Sequence, residues 1–105
     1  MKKSRRRYLL FKLHRDDISI EGKELSIAIW KSLLSLYGEV QAADSKLYLT
    51  DFDEQTGIGI LQCNAETLSK VITSAVMIGS IDNTNISFEP IKTSGTIKGL
   101  KRQIR

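Results

Sequence analysis

The chain of 105 residues has little of the chemistry on which disulfide scaffolds, zinc modules and membrane proteins depend. Its single cysteine, Cys63, cannot form an intramolecular disulfide, and no paired Cys or His residues are present to bind zinc. No apolar run approaches the roughly 20 residues that cross a bilayer. The apolar stretch that follows the basic N-terminus is too short for a signal peptide. We therefore expect a cytoplasmic protein that makes no use of a membrane.

Catalytic groups are also scarce. His14 is the only histidine, and at the end of a predicted strand it is expected to have a structural or exposed role. Asp51 and Asp53 alternate along the chain, so they are able to share one strand face and hold magnesium for phosphoryl transfer. They also lead into a turn, where acids are common, and we favour that interpretation. No phosphate-binding loop is present, since Gly57 and Gly59 are too few. A free-standing metal-dependent nuclease that uses the two aspartates stays an open alternative.

Acidic residues are missing from both ends of the chain. Residues 1–15 hold seven Lys or Arg residues and residues 91–105 hold five, whereas the middle holds four basic residues and all 12 acids. Such segregation favours two basic segments that contact a nucleic acid, although charge kept for solubility is an alternative. The residues that we predict to bind RNA lie in these two segments: Arg5, Arg6, Arg7, Lys12, Lys98, Lys101 and Arg102.

The periodicity of apolar residues predicts a β-α-β-β-α-β order. The predicted strands cover residues 6–14, 46–52, 58–63 and 86–91, and the predicted helices cover residues 21–37 and 65–78. Asn64 is expected to cap the second helix, which Gly79 ends. Pro90 indicates that the last strand lies at an edge or ends there. This order predicts an α+β fold: a two-layer α/β sandwich in which an antiparallel sheet carries the helices on one face, as in ferredoxin-like proteins. One domain over residues 1–105 is expected, with residues 1–5 as a basic arm.

The first predicted helix has more apolar residues than one face needs. A stripe at helical spacing is predicted to face the core, and it comprises Ile27, Trp30, Leu33, Leu34 and Tyr37. Gly38 then stands where a left-handed C-terminal cap is expected. Ile29 and Leu36 lie outside the stripe, and the strand over residues 58–63 is apolar on both faces. We therefore predict that the helix flank and this strand contact a protein partner.

The C-terminal segment has a helical pattern of its own. Ile97, Leu100 and Ile104 would form an apolar stripe over residues 96–105, opposite a basic stripe that includes Lys98. Ser94 is expected to cap this short basic helix. The free N–H groups behind the cap would then form an anion site, or the cap is an ordinary one with a solvated charged face.

Aromatic residues are too few for the base-stacking sheet of an RNA-recognition motif. The strand over residues 57–63 has no aromatic residue, and Tyr8 and Phe11 on the first strand are opposite in parity. Binding through phosphates and RNA shape therefore fits the sequence better than stacking of bases.

Three segments carry a resemblance to a known family. They are Arg-Tyr-Leu-Leu at residues 7–10, Thr-Gly-Ile-Gly-Ile-Leu-Gln-Cys at residues 56–63, and Ser-Gly-Thr-Ile-Lys at residues 94–98. In order and spacing they resemble the opening motif, the central hairpin strand and the C-terminal motif of the ribonuclease P protein component 2 family. With the elements between them, the match spans nearly the whole chain.

The resemblance implies an α/β sandwich related in topology to the RNA-recognition motif. It implies a protein that binds the RNA subunit of ribonuclease P, which removes 5′ leaders from precursor tRNA. In that family the RNA carries the metal-dependent chemistry and uses Mg²⁺, so the protein itself is expected to bind no cofactor. The expected protein partner is ribonuclease P protein component 3, often in a dimer of heterodimers. A ferredoxin-like ligand-binding or regulatory module is the remaining alternative, and the basic ends count against it.

Overall fold

A five-stranded antiparallel sheet organises the chain. The computed structural model describes residues 5–16 and 18–101, and for Lys101 only the backbone. Its elements are β1 (Arg6–Arg15), α1 (Gly22–Asp44), β2 (Tyr48–Phe52), β3 (Ile58–Asn64), a 3-10 turn (Ala65–Thr67), α2 (Leu68–Val76), β4 (Ser80–Ile81), β5 (Thr84–Ser94) and α3 (Ile97–Lys101). The strand order is β2-β3-β1-β5-β4, and all neighbouring strands are antiparallel. The predicted α+β class is confirmed, and β4 is a strand that the sequence did not predict.

The main core lies between the sheet and the helices α1 and α2. Leu9, Phe11 and Leu13 alternate along β1 and point into it, as the two-residue period of a strand requires. Phe11 stacks between two other rings, with ring centroids 6.0 Å from Phe52 and 4.6 Å from Phe88. This aromatic stack ties β1 to β2 and β5 and forms the centre of the core.

The buried face of α1 differs from the predicted stripe. Leu25, Ile29 and Leu33 are fully buried, whereas Ile27 is 44% exposed and Trp30 is 39% exposed. The prediction that Ile27 and Trp30 face the core, with Ile29 outside it, is therefore wrong. The helix has apolar residues around most of its circumference, and the three buried residues form an i, i+4, i+8 series that fits the sheet equally well.

Gly38 does not end the first helix. Its φ is +87°, but the chain returns to helical geometry and continues to Asp44, so Gly38 is a break inside α1. The segment after the break is held by Ala42, which is fully buried in the core. Buried Ser45 follows it and donates a 2.6 Å hydrogen bond from its Oγ to the carbonyl oxygen of Ala42. The core therefore orders a second helical segment that glycine would otherwise terminate.

The predicted cap at Asn64 is also wrong. The Asn64 side chain donates from Nδ2 to the carbonyl oxygen of Asp44, so it does not cap the following helix. The chain first makes the 3-10 turn, in which the Thr67 hydroxyl donates to the Asn64 carbonyl oxygen at 3.1 Å. Only then does α2 begin, with Val71 and Ala75 buried against the core. Asn64 therefore joins the end of α1 to the start of α2.

A hairpin that the sequence analysis missed joins β4 to β5. Asp82 and Asn83 have φ values of +47° and +66°, the two successive left-handed residues that a tight two-residue hairpin needs. Strand β5 is longer than predicted, and Pro90 does not end it. Pro90 is paired with Phe11, next to a register irregularity between β1 and β5. β4 pairs only with Thr84 and Asn85, so Pro90 lies in a part of β5 that β4 does not reach. Proline is tolerated there because that side of the strand has no second neighbour.

Cys63 is a buried core residue. It is 1% exposed, and burial raises the pKa of its thiol to about 11. None of the helices in the described ranges is long and apolar enough to span a bilayer.

The buried thiol should react slowly with alkylating reagents. Because the thiolate is the reactive form, a shift of the pKa from 9.0 to about 11 lowers its fraction at pH 8 roughly 100-fold. We expect iodoacetamide to label the native protein at least about 100 times more slowly than the urea-unfolded protein. The two rates are compared by mass spectrometry at pH 8, and equal rates would contradict the buried position of Cys63.

Candidate nucleic-acid interface

The face of the sheet that points away from α1 and α2 is called the outer face here. Because partners across a sheet share a face, the register places Tyr8 beside Gln62 and Leu10 beside Ile60 on this side. The helix α3 packs on its middle, where Leu100 is fully buried against Leu10 and Ile60. The predicted apolar stripe is confirmed for Ile97 and Leu100, while Ile104 lies outside the described residues. The sheet therefore carries helices on both faces, not on one.

The cap of α3 lies two residues later than predicted. The Thr96 hydroxyl oxygen accepts a 3.2 Å hydrogen bond from the Gly99 N–H, and Ser94 Oγ accepts a 3.1 Å bond from the Thr96 N–H. Thr96 is therefore the cap of the helix, and Ser94 stabilises the turn that precedes it. The N–H groups of Thr96 and Gly99 thus donate to side chains of the same segment and are not free to bind an anion, which favours the ordinary cap.

The three arginines at the start of β1 lie at one end of the sheet. Arg5 accepts a 2.7 Å hydrogen bond at its backbone carbonyl from the Ala65 N–H, which fixes the entry of the chain into the strand. Arg6 is exposed and shares the outer face with Asn64, its partner on β3. Arg7 is half-buried and reaches the loop before α3, where its Nη1 lies 2.9 Å from the position of a Cβ on Gly95.

The two basic ends of the chain meet at this place. Strands β1 and β5 are adjacent, Tyr8 is paired with Ser94, and α3 follows directly. Lys98 is exposed on α3. Lys101 is the last helical residue, and its side chain and Arg102 lie outside the described residues. We call Arg5, Arg6, Arg7 and Lys98 the basic end of the sheet.

Lys12 does not belong to the basic end. It lies six residues along β1 from Arg6, which corresponds to about 20 Å at the rise of a strand. Its cross-strand neighbours on the outer face are Ile58 and Glu89. Lys92 lies closer, beside Leu10 on the same face, and was not among the predicted binding residues. Its position in the acid-free C-terminal segment was the signal that could have identified it.

Two other basic side chains have structural partners. The Arg15 guanidinium donates from Nη2 to the backbone carbonyls of Glu54 and Gln55, so it holds the hairpin between β2 and β3. His14 Nε2 and Glu89 Oε1 are 2.7 Å apart, within hydrogen-bond distance. The basic end therefore has no carboxylate within 4.0 Å among the described residues, and its charge is available to a polyanion.

The carboxylates near the hairpin behave as turn residues. Asp53 Oδ1 accepts hydrogen bonds from the N–H groups of Gln55 at 2.9 Å and Thr56 at 3.4 Å. This arrangement is typical of an aspartate that stabilises a turn. Asp51 is exposed on the outer face beside Ile60. Over residues 5–16 and 18–101, no three His, Cys, Asp or Glu residues are grouped closely enough to bind a metal ion.

Fold and charge together define a small α+β protein with one sheet end suited to a polyanion. Comparison with known proteins then gives the family. The chain belongs to the Rpp14/Pop5 family, whose sequence model matches residues 7–105. It is 33% identical to ribonuclease P protein component 2 of Pyrococcus furiosus over 101 residues, which cover 96% of this chain and 83% of the relative. It is 35% identical to the same component of Archaeoglobus fulgidus, with 96% and 89% covered.

A solved structure has the same fold. A chain in the cryo-EM structure of yeast ribonuclease MRP superimposes with a TM-score of 0.72, over 99% of this chain and 92% of that chain. The two sequences are 11% identical, so this likeness shows the fold and no more.

Proposed function

We propose that this protein is an RNA-binding subunit of ribonuclease P that supports the catalytic RNA in removing 5′ leaders from precursor tRNA. The observation that carries the proposal is membership of the Rpp14/Pop5 family over nearly the whole chain, together with relatives named ribonuclease P protein component 2. The basic end of the sheet is the structural counterpart, since cationic side chains without carboxylate partners are what phosphates require. The cytoplasm is the compartment that we propose with it.

The basic end is proposed to hold RNA through its phosphates. Arginine forks bind phosphate oxygens in pairs, and three consecutive arginines at a strand entry offer several such contacts. Lys98 on α3 adds a fourth cation at the same end of the sheet. Lys101 and Arg102 continue the same basic segment of the sequence and are proposed to act with Lys98.

A protein partner is also part of the proposal, and component 3 in a dimer of heterodimers is the assembly that we propose. The sequence pointed to β3, Ile29 and Leu36 as contact surface. Ile29 and Ile60 are fully buried within the chain, so they are wrong, whereas Leu36 is exposed. α1 also exposes Trp30 and Val40, and with Leu36 these large apolar side chains support a protein–protein contact.

The proposal is tested by reconstitution. Purified protein alone, with Mg²⁺, should leave precursor tRNA intact, because the chemistry belongs to the RNA subunit and its metal ions. With the ribonuclease P RNA and component 3, addition of this protein should raise the rate of 5′ leader removal and lower the Mg²⁺ concentration required. Specific leader removal by the protein without RNA, or no effect on the assembled enzyme, would overturn the proposal.

A further inference from the structure

A row of side chains crosses the outer face beside the basic end. Tyr48 of β2 and Tyr8 of β1 are both paired with Gln62 of the intervening strand β3. Partners across a sheet point to the same face, so the row reads Tyr48, Gln62, Tyr8. It provides two aromatic rings with an amide between them.

This row is accessible although the adjacent part of the outer face is covered. Tyr48 is 61% exposed on the edge strand, and Gln62 and Tyr8 are half-buried. The next row, with Leu10 and Ile60, is sealed by Leu100 of α3. Tyr8 packs against this cluster of Leu10, Ile60 and Leu100, so its ring lies at the border between the covered part of the face and the exposed Tyr48.

The spacing of the row suits a flat ring system. Tyr8 and Tyr48 stand two strands apart, about 9.6 Å at the usual strand separation, which leaves room for an aromatic ring between or upon them. The Gln62 amide at the centre has two N–H donors and one carbonyl acceptor, the groups that read the edge of a nucleobase. A purely apolar partner would leave this amide without hydrogen bonds, which disfavours an apolar side chain as the occupant.

The charged residues beside the row indicate which kind of aromatic molecule binds there. Arg6 is exposed on the same face, one row closer to the end of the sheet, and is paired with Asn64 beside Gln62. Lys46 is exposed two residues before Tyr48. Both cations lie toward the Arg6 end of the row, whereas the row on its other side begins with the exposed carboxylate of Asp51. The phosphates of a stacked nucleotide would therefore lie toward the Arg6 end, since single-stranded nucleic-acid sites combine stacking with cations along the backbone.

We propose that Tyr48, Gln62 and Tyr8 form a binding site for one unpaired nucleobase of the RNA. The site rests on the proposed RNA-binding function and adds a stacking contact to the phosphate contacts of the basic end. Tyr48 supplies the ring for stacking, and Tyr8 flanks the base on the other side. The Gln62 amide forms hydrogen bonds with the edge of the base. An unpaired base is required because a base inside a duplex has both faces covered.

The test uses a single-stranded RNA decamer with one 2-aminopurine, whose fluorescence falls when it stacks, and a blunt duplex of the same length. Tyr48→Ala should weaken binding of the single strand about 5- to 100-fold and abolish the quenching, since each stacked base contributes that much. Tyr48→Phe keeps the ring and should bind within about twofold of the original protein. Duplex binding should not change in either variant.

Met77→Ala is the control, because Met77 is a large exposed side chain at the end of α2, away from the outer face. It should leave decamer binding and quenching unaltered. The site is overturned if the original protein does not bind or quench the decamer, if Tyr48→Ala binds it equally well, or if Tyr48→Phe loses as much as Tyr48→Ala. Binding of ribonuclease P RNA by the original protein is measured in parallel. If the original protein does not bind ribonuclease P RNA, the proposed function is overturned. If it binds this RNA, and Tyr48→Ala binds the decamer as tightly as the original protein does, only the base site is overturned.

Discussion

Replacing Gly59 with alanine is expected to destabilise the fold by about 3 kcal/mol or more, the upper range for overpacking a core. Gly59 lies on β3 directly opposite Phe11, at the centre of the aromatic stack. A Cβ at this position would lie 2.7 Å from the carbonyl oxygen of Asp51 and 2.7 Å from Cζ of Phe11. Neither neighbour is free to move, because one is backbone and the other is packed between Phe52 and Phe88.

This destabilisation is a large share of the total, since a domain of this size has a free energy of unfolding of about 5–15 kcal/mol. In thermal melts it corresponds to a decrease of roughly 12 to 24 °C in Tm. Gly79→Ala is the matched control, because a Cβ there meets nothing within 4 Å. The control should melt within a few degrees of the original protein. Equal Tm values for the two variants would show that β3 does not approach Phe11 as closely as described.

Removal of charge from the basic end is expected to weaken binding of ribonuclease P RNA by as much as roughly 500-fold at 0.1 M salt, about eightfold for each phosphate that is no longer neutralised. The variant Arg5/Arg6/Arg7→Ala removes the cluster at the start of β1, and Lys98/Lys101/Arg102→Ala removes the cluster of the C-terminal segment. Because β1 and β5 are adjacent and α3 follows β5, Lys98 lies near the end of the sheet at which β1 begins, and the two clusters are proposed to act together. Each variant should therefore flatten the slope of log affinity against log salt, by about one unit for each phosphate that it leaves without a cation.

The control removes the same number of charges from the helices. Lys23 and Lys31 are exposed on α1, and Lys70 on α2 stands 5.7 Å from the ring centroid of Tyr37. Lys23/Lys31/Lys70→Ala should change affinity and salt slope much less, and its melting curve shows whether removal of the Lys70 ammonium from the Tyr37 ring has affected folding. Equal decreases in affinity for all three variants would mean diffuse attraction of RNA to the whole molecule, not a site at the basic end.

Local patterns in the sequence were sufficient for much of the fold. The alternation of Leu9, Phe11 and Leu13 identifies a strand, and the turn at Asp53 and Gly57 is encoded by a carboxylate and a positive φ of +79°. The face of α1 was wrong because its apolar residues surround most of the helix, and only the sheet selects among them. The hairpin before β5 was missed although Asp and Asn are the residues that tolerate left-handed geometry.

The candidate site depended on information that is not local. The meeting of the two basic segments follows from the pairing of β1 with β5, residues that are about 80 positions apart in the chain. The alignment of Tyr48 with Tyr8 depends on the register of two strand pairs at once, and a slip of one residue in either would place the rings on opposite faces. The absence of an aromatic residue from β3 disfavours the base stacking of an RNA-recognition motif. The second ring is instead supplied by the edge strand β2.

The central position of β1 has a consequence for how the protein forms during synthesis. This strand precedes both of its neighbours in the chain, which are residues 58–64 and 84–94. Pairing between such distant parts of a chain forms slowly, because a long loop must close before any stabilisation is obtained. Phe11 therefore lacks one of its two stacking partners until Phe88 has been synthesised. In the nascent chain, β1 therefore completes its pairing only after residues 84–94 have emerged from the ribosome.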